Sequence, residues 1–96
     1  MNNYNPSCII EKEDIPQLKF SKQEALQTSK ERHLRSFYLN RALQLGNLLK
    51  NKVKIYFKNH KDHLLQVHTT IWAVTTDFVV LKQGITIPKH RIVYID

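Results

Sequence analysis

The sequence is poor in the residues on which several common functional sites depend. Cys8 is the one cysteine, so no disulfide can form within the chain, and a reducing compartment is expected. Two glycines are too few for a glycine-rich phosphate loop, which excludes most nucleotide-hydrolysing and dinucleotide-binding proteins. The longest apolar run is far below the ~20 residues of a membrane span, and the opening MNNYNPSC lacks the basic-then-apolar layout of a signal peptide. We therefore predict a cytoplasmic protein that does not enter a membrane.

Acidic residues are scarce relative to basic ones, and the imbalance is local. Fifteen Lys and Arg face eight Asp and Glu, which gives a formal net charge of +7. Residues 21–61 hold ten of the basic and two of the acidic residues, so this segment alone carries +8. A concentrated basic region is typical of proteins that bind a polyanion, nucleic acid first and an anionic membrane second. A surface that is basic only for solubility is the alternative.

The length of 96 residues fits one domain. Residues 1–20 contain two prolines and no sustained period, which predicts an extended or disordered arm. Capping boxes at Ser21–Glu24 and Thr28–Glu31 precede apolar residues spaced by three, four or seven. The pattern predicts a helix from about 22 or 29 to 49.

After the helix, the apolar period changes to two, as in half-buried strands. Five short strands are predicted, at 53–57, 64–74, 78–81, 85–87 and 91–95. One helix followed by five short strands predicts a single, mainly β domain over residues 21–96, a small, strongly bent antiparallel barrel of the SH3-like kind.

Three segments carry a resemblance to a known family. Val53–Phe57 reads V-K-I-Y-F, Phe78–Lys82 reads F-V-V-L-K, and Pro88–Ile92 reads P-K-H-R-I. In this order behind a helix, they resemble the Sm-like family, and within it the Hfq branch of bacterial RNA chaperones. The resemblance covers about residues 36–96. It implies an Sm-like barrel that binds RNA and needs no cofactor.

The same resemblance implies a homo-oligomer, in that family a ring of six subunits, that binds single-stranded RNA. On the helix face, Phe78 would stack on a base of uridine-rich RNA while Lys89 and His90 contact base and phosphate. On the opposite face, Tyr56 and Gln66 would bind adenine-rich RNA. Basic side chains of the helix are expected to form a rim: Arg32, Arg35 and Arg41.

Each of these residues also has a purely structural interpretation. Phe78 begins an apolar run and fits a core position, and Lys89 and His90 fit a polar turn. The arginines fit a solvated helix face. The alternative function is therefore a small barrel that acts as a protein-interaction or assembly module without binding RNA.

No catalytic or metal site is predicted. His60, His63 and His68 have neither a cysteine partner nor the helical spacing of metal ligands. Asp62 and Asp77 lie in separate turns, so no pair of carboxylates is evident for acid–base chemistry. We therefore expect a binding protein rather than an enzyme.

Overall fold

The computed structural model describes residues 4–49 and 51–96, except for the side chains of 46–49. Over these residues the chain forms one α-helix, seven β-strands and three short 3₁₀ helices. The helix, α1, spans Ser29–Leu49. The strands are β1 (Cys8–Ile10), β2 (Val53–Lys58), β3 (Leu64–Thr69), β4 (Ile71–Val74), β5 (Phe78–Leu81), β6 (Thr86–Pro88) and β7 (Ile92–Ile95). The 3₁₀ helices are Lys12–Gln17, Lys82–Gly84 and Lys89–Arg91.

The helix begins at the second of the two predicted capping boxes. The Thr28 hydroxyl accepts a hydrogen bond from the Glu31 amide at 3.1 Å, and the Glu31 carboxylate accepts one from the Thr28 amide at 3.2 Å. These bonds satisfy two amides that the first helical turn leaves without partners. Among the described residues, no helix is long and apolar enough to cross a membrane.

The described strands form two sheets, in the orders β1-β3-β2-β7 and β4-β5-β6. Thr70 alone separates β3 from β4, and its carbonyl accepts a hydrogen bond from the Lys82 amide at 3.0 Å. The run predicted as one strand over 64–74 is thus divided, with its first half in one sheet and its second half in the other. A mainly β fold behind a helix is confirmed. The five-stranded barrel is wrong, because the described strands number seven and lie in two sheets, neither of which closes into a barrel.

The segment 1–20, predicted as an arm, contains two elements within its described part. Strand β1 pairs in parallel with β3, Cys8 beside Leu65 and Ile10 beside Val67. The 3₁₀ helix that follows buries Ile15, which is 2% exposed. Both elements are too short to show a period in the sequence.

One hydrophobic core joins both sheets, α1 and the first 3₁₀ helix. Its members include residues of every one of these parts: Ile15, Leu39, Ile55, Phe57, Val79, Leu81, Ile87 and Ile92. On β2, the core residues alternate with Lys54, Tyr56 and Lys58, which lie on the other face of the sheet because successive side chains of a strand alternate.

Candidate nucleic-acid interface

The structure brings Phe78 next to the turn that carries Lys89 and His90. Phe78 is the first residue of β5 and pairs with Pro88 at the end of β6. The Lys89 amide donates a hydrogen bond to the carbonyl of Asp77 at 2.8 Å, which ties the two turns together. Phe78 is 44% exposed, so its ring is not a core residue in the described structure.

Asp77, the residue before Phe78, lines a cleft of about 320 Å³ between the start of α1 and the two turns. Four of the residues predicted to bind RNA line the cleft: Arg32, Arg35, Lys89 and His90. Glu24, Ser36, Thr76 and Asp77 complete its walls. Three permanent cations face two carboxylates there, so the cleft carries a small excess of positive charge.

Arg35 supports the cleft from within the protein. It is 7% exposed and donates two hydrogen bonds of 2.7 Å to the carboxylate of Glu24, with a third of 3.0 Å to the Ile92 carbonyl. Within the described structure, its Nε is buried without a hydrogen-bond partner. A guanidinium paired in this way fixes the walls of the cleft rather than forming part of a solvated helix face.

The ionisation of Glu24 follows from this pairing. Partial burial acts to raise the pKa of Glu24, but hydrogen bonds from Arg35 and from the amides of Leu26 and Ala25 outweigh it, so its pKa lies below the ordinary value. The carboxylate is therefore charged at neutral pH and cancels much of the Arg35 charge. The cations of the cleft that do not share this ion pair are Arg32 and Lys89.

Lys89 and His90 differ in how firmly they are held. The Nζ of Lys89 has a long contact of 3.5 Å with the Thr75 carbonyl, a weak restraint on a flexible side chain. The Nε2 of His90 lies 2.8 Å from the Ser21 carbonyl oxygen. Because a carbonyl oxygen only accepts, Nε2 is the protonated ring nitrogen in this arrangement. His90 is thus oriented by the chain, whereas Lys89 is left to reach a ligand.

The remaining predicted residues lie elsewhere. Tyr56 and Gln66 are buried, 4% and 7% exposed, on the sheet that contains β2 and β3, and the Gln66 side-chain amide donates a 3.0 Å hydrogen bond to the Tyr56 hydroxyl. Arg41 lines a second cleft of about 240 Å³ together with Tyr38 and Tyr94. The predicted residues are therefore divided among three places, and only the first gathers several of them.

Sequence reasoning missed the residue that holds the cleft in position. Arg91 is 1% exposed and donates to the carbonyls of Lys58, Gln23 and Asn59 and to the Asp62 carboxylate. These bonds tie the segment before α1 and the turn between β2 and β3 to the turn that carries Lys89 and His90. A single arginine beside a histidine gives no sign of such burial in the sequence.

The described residues contain no group of three or more His, Cys, Asp or Glu side chains placed to bind a metal ion. Comparisons with protein-family models, with curated proteins and with solved structures give no match for this chain. Any function must therefore be argued from the geometry and charge of the cleft and its surroundings.

Proposed function

We propose that this chain is an Sm-like, oligomeric RNA-binding protein that contacts single-stranded RNA through Phe78 and the basic cleft beside it. The proposal depends above all on one observation, the 44% exposed ring of Phe78 next to the weakly restrained Lys89. Proteins that bind single strands combine aromatic rings, on which bases stack, with cations that contact the phosphates. Here both components lie where the start of β5 pairs with the end of β6, because Phe78 pairs with Pro88 and Lys89 follows Pro88 in the chain.

The ring and the cations would contact different parts of the RNA. A base stacked on Phe78 contributes ~1–3 kcal/mol of binding free energy. Lys89 and Arg32 supply the positive charge for the adjoining phosphate, while the oriented ring of His90 offers a polar edge. The proposed action is binding of RNA, with no reaction catalysed. We propose a cytoplasmic location, since the single cysteine fits a reducing compartment.

The strand order supports the Sm-like part of the proposal. If β3 and β4 are taken as two halves of one strand bent at Thr70, the chain from β2 to β7 has five consecutive strands, as expected from the resemblance. Their spatial order is then β7-β2-β3/β4-β5-β6, divided between two sheets that do not close, with β1 as an additional strand beside β3.

The same order supports an oligomer. In the described residues, β6 pairs only with β5 and β7 only with β2, so each is an outer strand of its sheet. Edges of this kind invite pairing with another chain. Pairing of β6 in one subunit with β7 in the next would close a ring and remove both edges.

A paired substitution of exposed phenylalanines tests the RNA-binding site. We expect Phe78→Ala to weaken the binding of labelled oligo-U by about tenfold or more, the loss of one stacked base, with a nearly unchanged melting temperature. Phe37→Ala is the matched control, because Phe37 is 59% exposed but lies on α1 rather than beside the turn that carries Lys89. Equal binding by both variants, or a collapse of stability in Phe78→Ala alone, would exclude Phe78 from an RNA site.

A protein-interaction or assembly module is the second candidate function. The observation that favours it is Trp72, which is 51% exposed at the register shift between Ile71 and Ala73 in the pairing of β4 with β5. An exposed tryptophan suits a protein interface. Such a module would bind its partner largely through apolar burial and would show little dependence on salt, unlike RNA binding.

A further inference from the structure

The second cleft lies where the middle of α1 meets the beginning of β2 and the end of β7. Its volume of about 240 Å³ is close to the lower limit of ligand pockets, so it has room for one small molecule. The helix contributes four side chains at the spacing i, i+3, i+4 and i+7, which places them on one face: Tyr38, Arg41, Ala42 and Leu45. The two strands form the opposite wall.

The floor of this second cleft is apolar. Ala42, Val53 and Ile95 line it, and all three are buried members of the hydrophobic core. The rings of Tyr38 and Tyr94 also line the cleft, with centroids 5.8 Å apart and planes at 67°. An apolar group that enters the cleft would therefore lose its contact with water against both aliphatic and aromatic carbon, which favours binding.

The rim of the second cleft carries two opposite charges on separate elements. Arg41 and Asp96 both line the cleft and are both exposed, and no ion pair joins them within the described structure. The backbone of Asp96 is fixed to that of Lys54 by hydrogen bonds of 2.9 and 3.1 Å, and Ala42, next to Arg41, is part of the core. Both charged side chains thus extend from backbone that the fold holds in place.

An apolar floor below two opposite charges restricts the chemistry of the ligand. A simple carboxylic acid would be attracted by Arg41 and repelled by Asp96, and a simple amine would meet the reverse. A free α-amino acid carries an ammonium and a carboxylate on one carbon atom, from which its side chain also extends. Its charged groups can therefore stay at the rim while an apolar side chain reaches the floor.

From this arrangement we infer that the second cleft is a binding site for a free α-amino acid with an apolar side chain. The Arg41 guanidinium donates to the ligand carboxylate, and the Asp96 carboxylate accepts from the ligand ammonium. A carboxylate can accept several hydrogen bonds, so Asp96 can do this in addition to its contacts within the chain. The inference goes beyond the proposed function and does not depend on it, because the second cleft shares no lining residue with the cleft that Lys89 lines.

The ionisation of Tyr94 supports this picture of the rim. Burial raises the pKa of Tyr94 above its ordinary value, and the negative charge of Asp96 raises it further. The Asp96 carboxylate is thus close enough to act on the ring that lines the cleft. The Tyr94 hydroxyl stays uncharged at neutral pH, so Arg41 and Asp96 supply the charges of the described lining.

Matched derivatives of the ligand test the two charged contacts separately. Isothermal titration calorimetry of the full chain compares L-leucine and L-phenylalanine with their amides, which lack the carboxylate, and with their N-acetyl forms, which lack the ammonium. Each derivative should bind about tenfold more weakly than its parent, the loss of one charged hydrogen-bonded contact. Glycine, which has both charges and no side chain, should not bind. No binding by either apolar amino acid, or equal affinity for the parents and their derivatives, would overturn the inference.

Variants at the rim locate the site. Arg41→Gln should weaken the binding of L-leucine about tenfold and remove its preference over leucinamide, and Asp96→Asn should remove its preference over N-acetyl-leucine. Arg32→Gln is the matched control, because Arg32 lies on the same helix but lines the other cleft, and it should bind L-leucine as the wild type does. In proton–nitrogen correlation spectra, L-leucine should shift the amide signals of Val53 and Tyr94. An unchanged affinity in Arg41→Gln, or shifts confined to residues away from the second cleft, would contradict the assignment.

Discussion

At the scale of residues, two buried arginines organise the surface that we propose for RNA. Arg35 is bonded to Glu24 and Ile92, and Arg91 to three carbonyls and Asp62. Buried guanidinium groups are costly unless their nitrogens find partners, and in the described structure all of these except the Nε of Arg35 do, so the two arginines favour one arrangement of the segments they join. Lys89, by contrast, has one long contact and is free to adapt to a ligand.

The pairing of Glu24 with Arg35 predicts a dependence of stability on pH. Because the pKa of Glu24 is lowered in the folded state, its contribution to stability is complete above the ordinary value of 4.5 and is lost as the pH falls through the folded-state value. Glu24→Gln should therefore lower the free energy of unfolding at pH 7 and flatten its decline in acid, measured by urea denaturation across pH 3–7.

Glu13→Gln is the control for this experiment. The pKa of Glu13 is also lowered, chiefly by Lys12, but its side chain is 58% exposed and solvent screens the pair. Its denaturation curves should follow those of the wild type. If the free energies of unfolding of the wild type and of Glu24→Gln fell in parallel as the pH is lowered, the assigned ion pair would be contradicted.

At the scale of elements, the sequence predicted what depends on a repeating pattern. The strand near 53–58 follows from alternation and the strand at 78–81 from a short apolar run, and α1 begins at Thr28 and Glu31 because that capping box is intact. At the first box, by contrast, the carboxylate of Glu24 is bonded to Arg35, a partner eleven residues away. Sequence patterns within one turn do not reveal that Arg35 takes the Glu24 carboxylate away from the first capping box, so they do not tell which box begins the helix.

Other features of the elements lie beyond local patterns. The bend at Thr70 interrupts a run whose β-branched residues favour a continuous strand, and it depends on a bond from Lys82, twelve residues later. Strand β1 depends on the edge that β3 offers it. Within the candidate site, the sequence predicted that Lys89 and His90 lie together. It did not predict that Arg35 is buried or that the ring of Tyr4 packs against that of Tyr56.

The start of the helix predicts the effect of removing its cap. Thr28→Ala removes the side-chain acceptor of the Glu31 amide and should lower the free energy of unfolding by ~1 kcal/mol. Ser29→Ala, one residue along and exposed, is the control and should change it little. Urea denaturation monitored by circular dichroism measures both, and equal values would show that Thr28 does not cap α1.

At the scale of the whole molecule, net charge opposes assembly and the sheet edges favour it. A net charge of +7 keeps subunits apart in solution unless a specific contact outweighs it. The edges of β6 and β7 offer that contact, and assembly would repeat the cleft of each subunit around a ring. Several weak contacts with one RNA strand then act together and raise the overall affinity.

The assembly predicts a response to charge at the free edge. A lysine on an edge strand opposes pairing with another chain. Thr86 is exposed on β6, so Thr86→Lys should shift the mass measured by light scattering from a multiple of 11.4 kDa toward that value. Gln44→Lys, on the exposed side of α1, adds the same charge and should leave the mass unchanged. A wild type already at 11.4 kDa would contradict the ring.

The salt dependence of RNA binding tests the central claim most directly. Fluorescence anisotropy with labelled oligo-U and oligo-A, from low to near-physiological salt, measures how the affinity falls as phosphate contacts release counterions. We predict steep dependence for the wild type, a slope reduced by about one for Lys89→Ala, and no change for Lys82→Ala, an exposed lysine beyond the opposite end of β5. Weak binding to both oligonucleotides that disappears at physiological salt, or equal slopes for the two variants, would contradict the account.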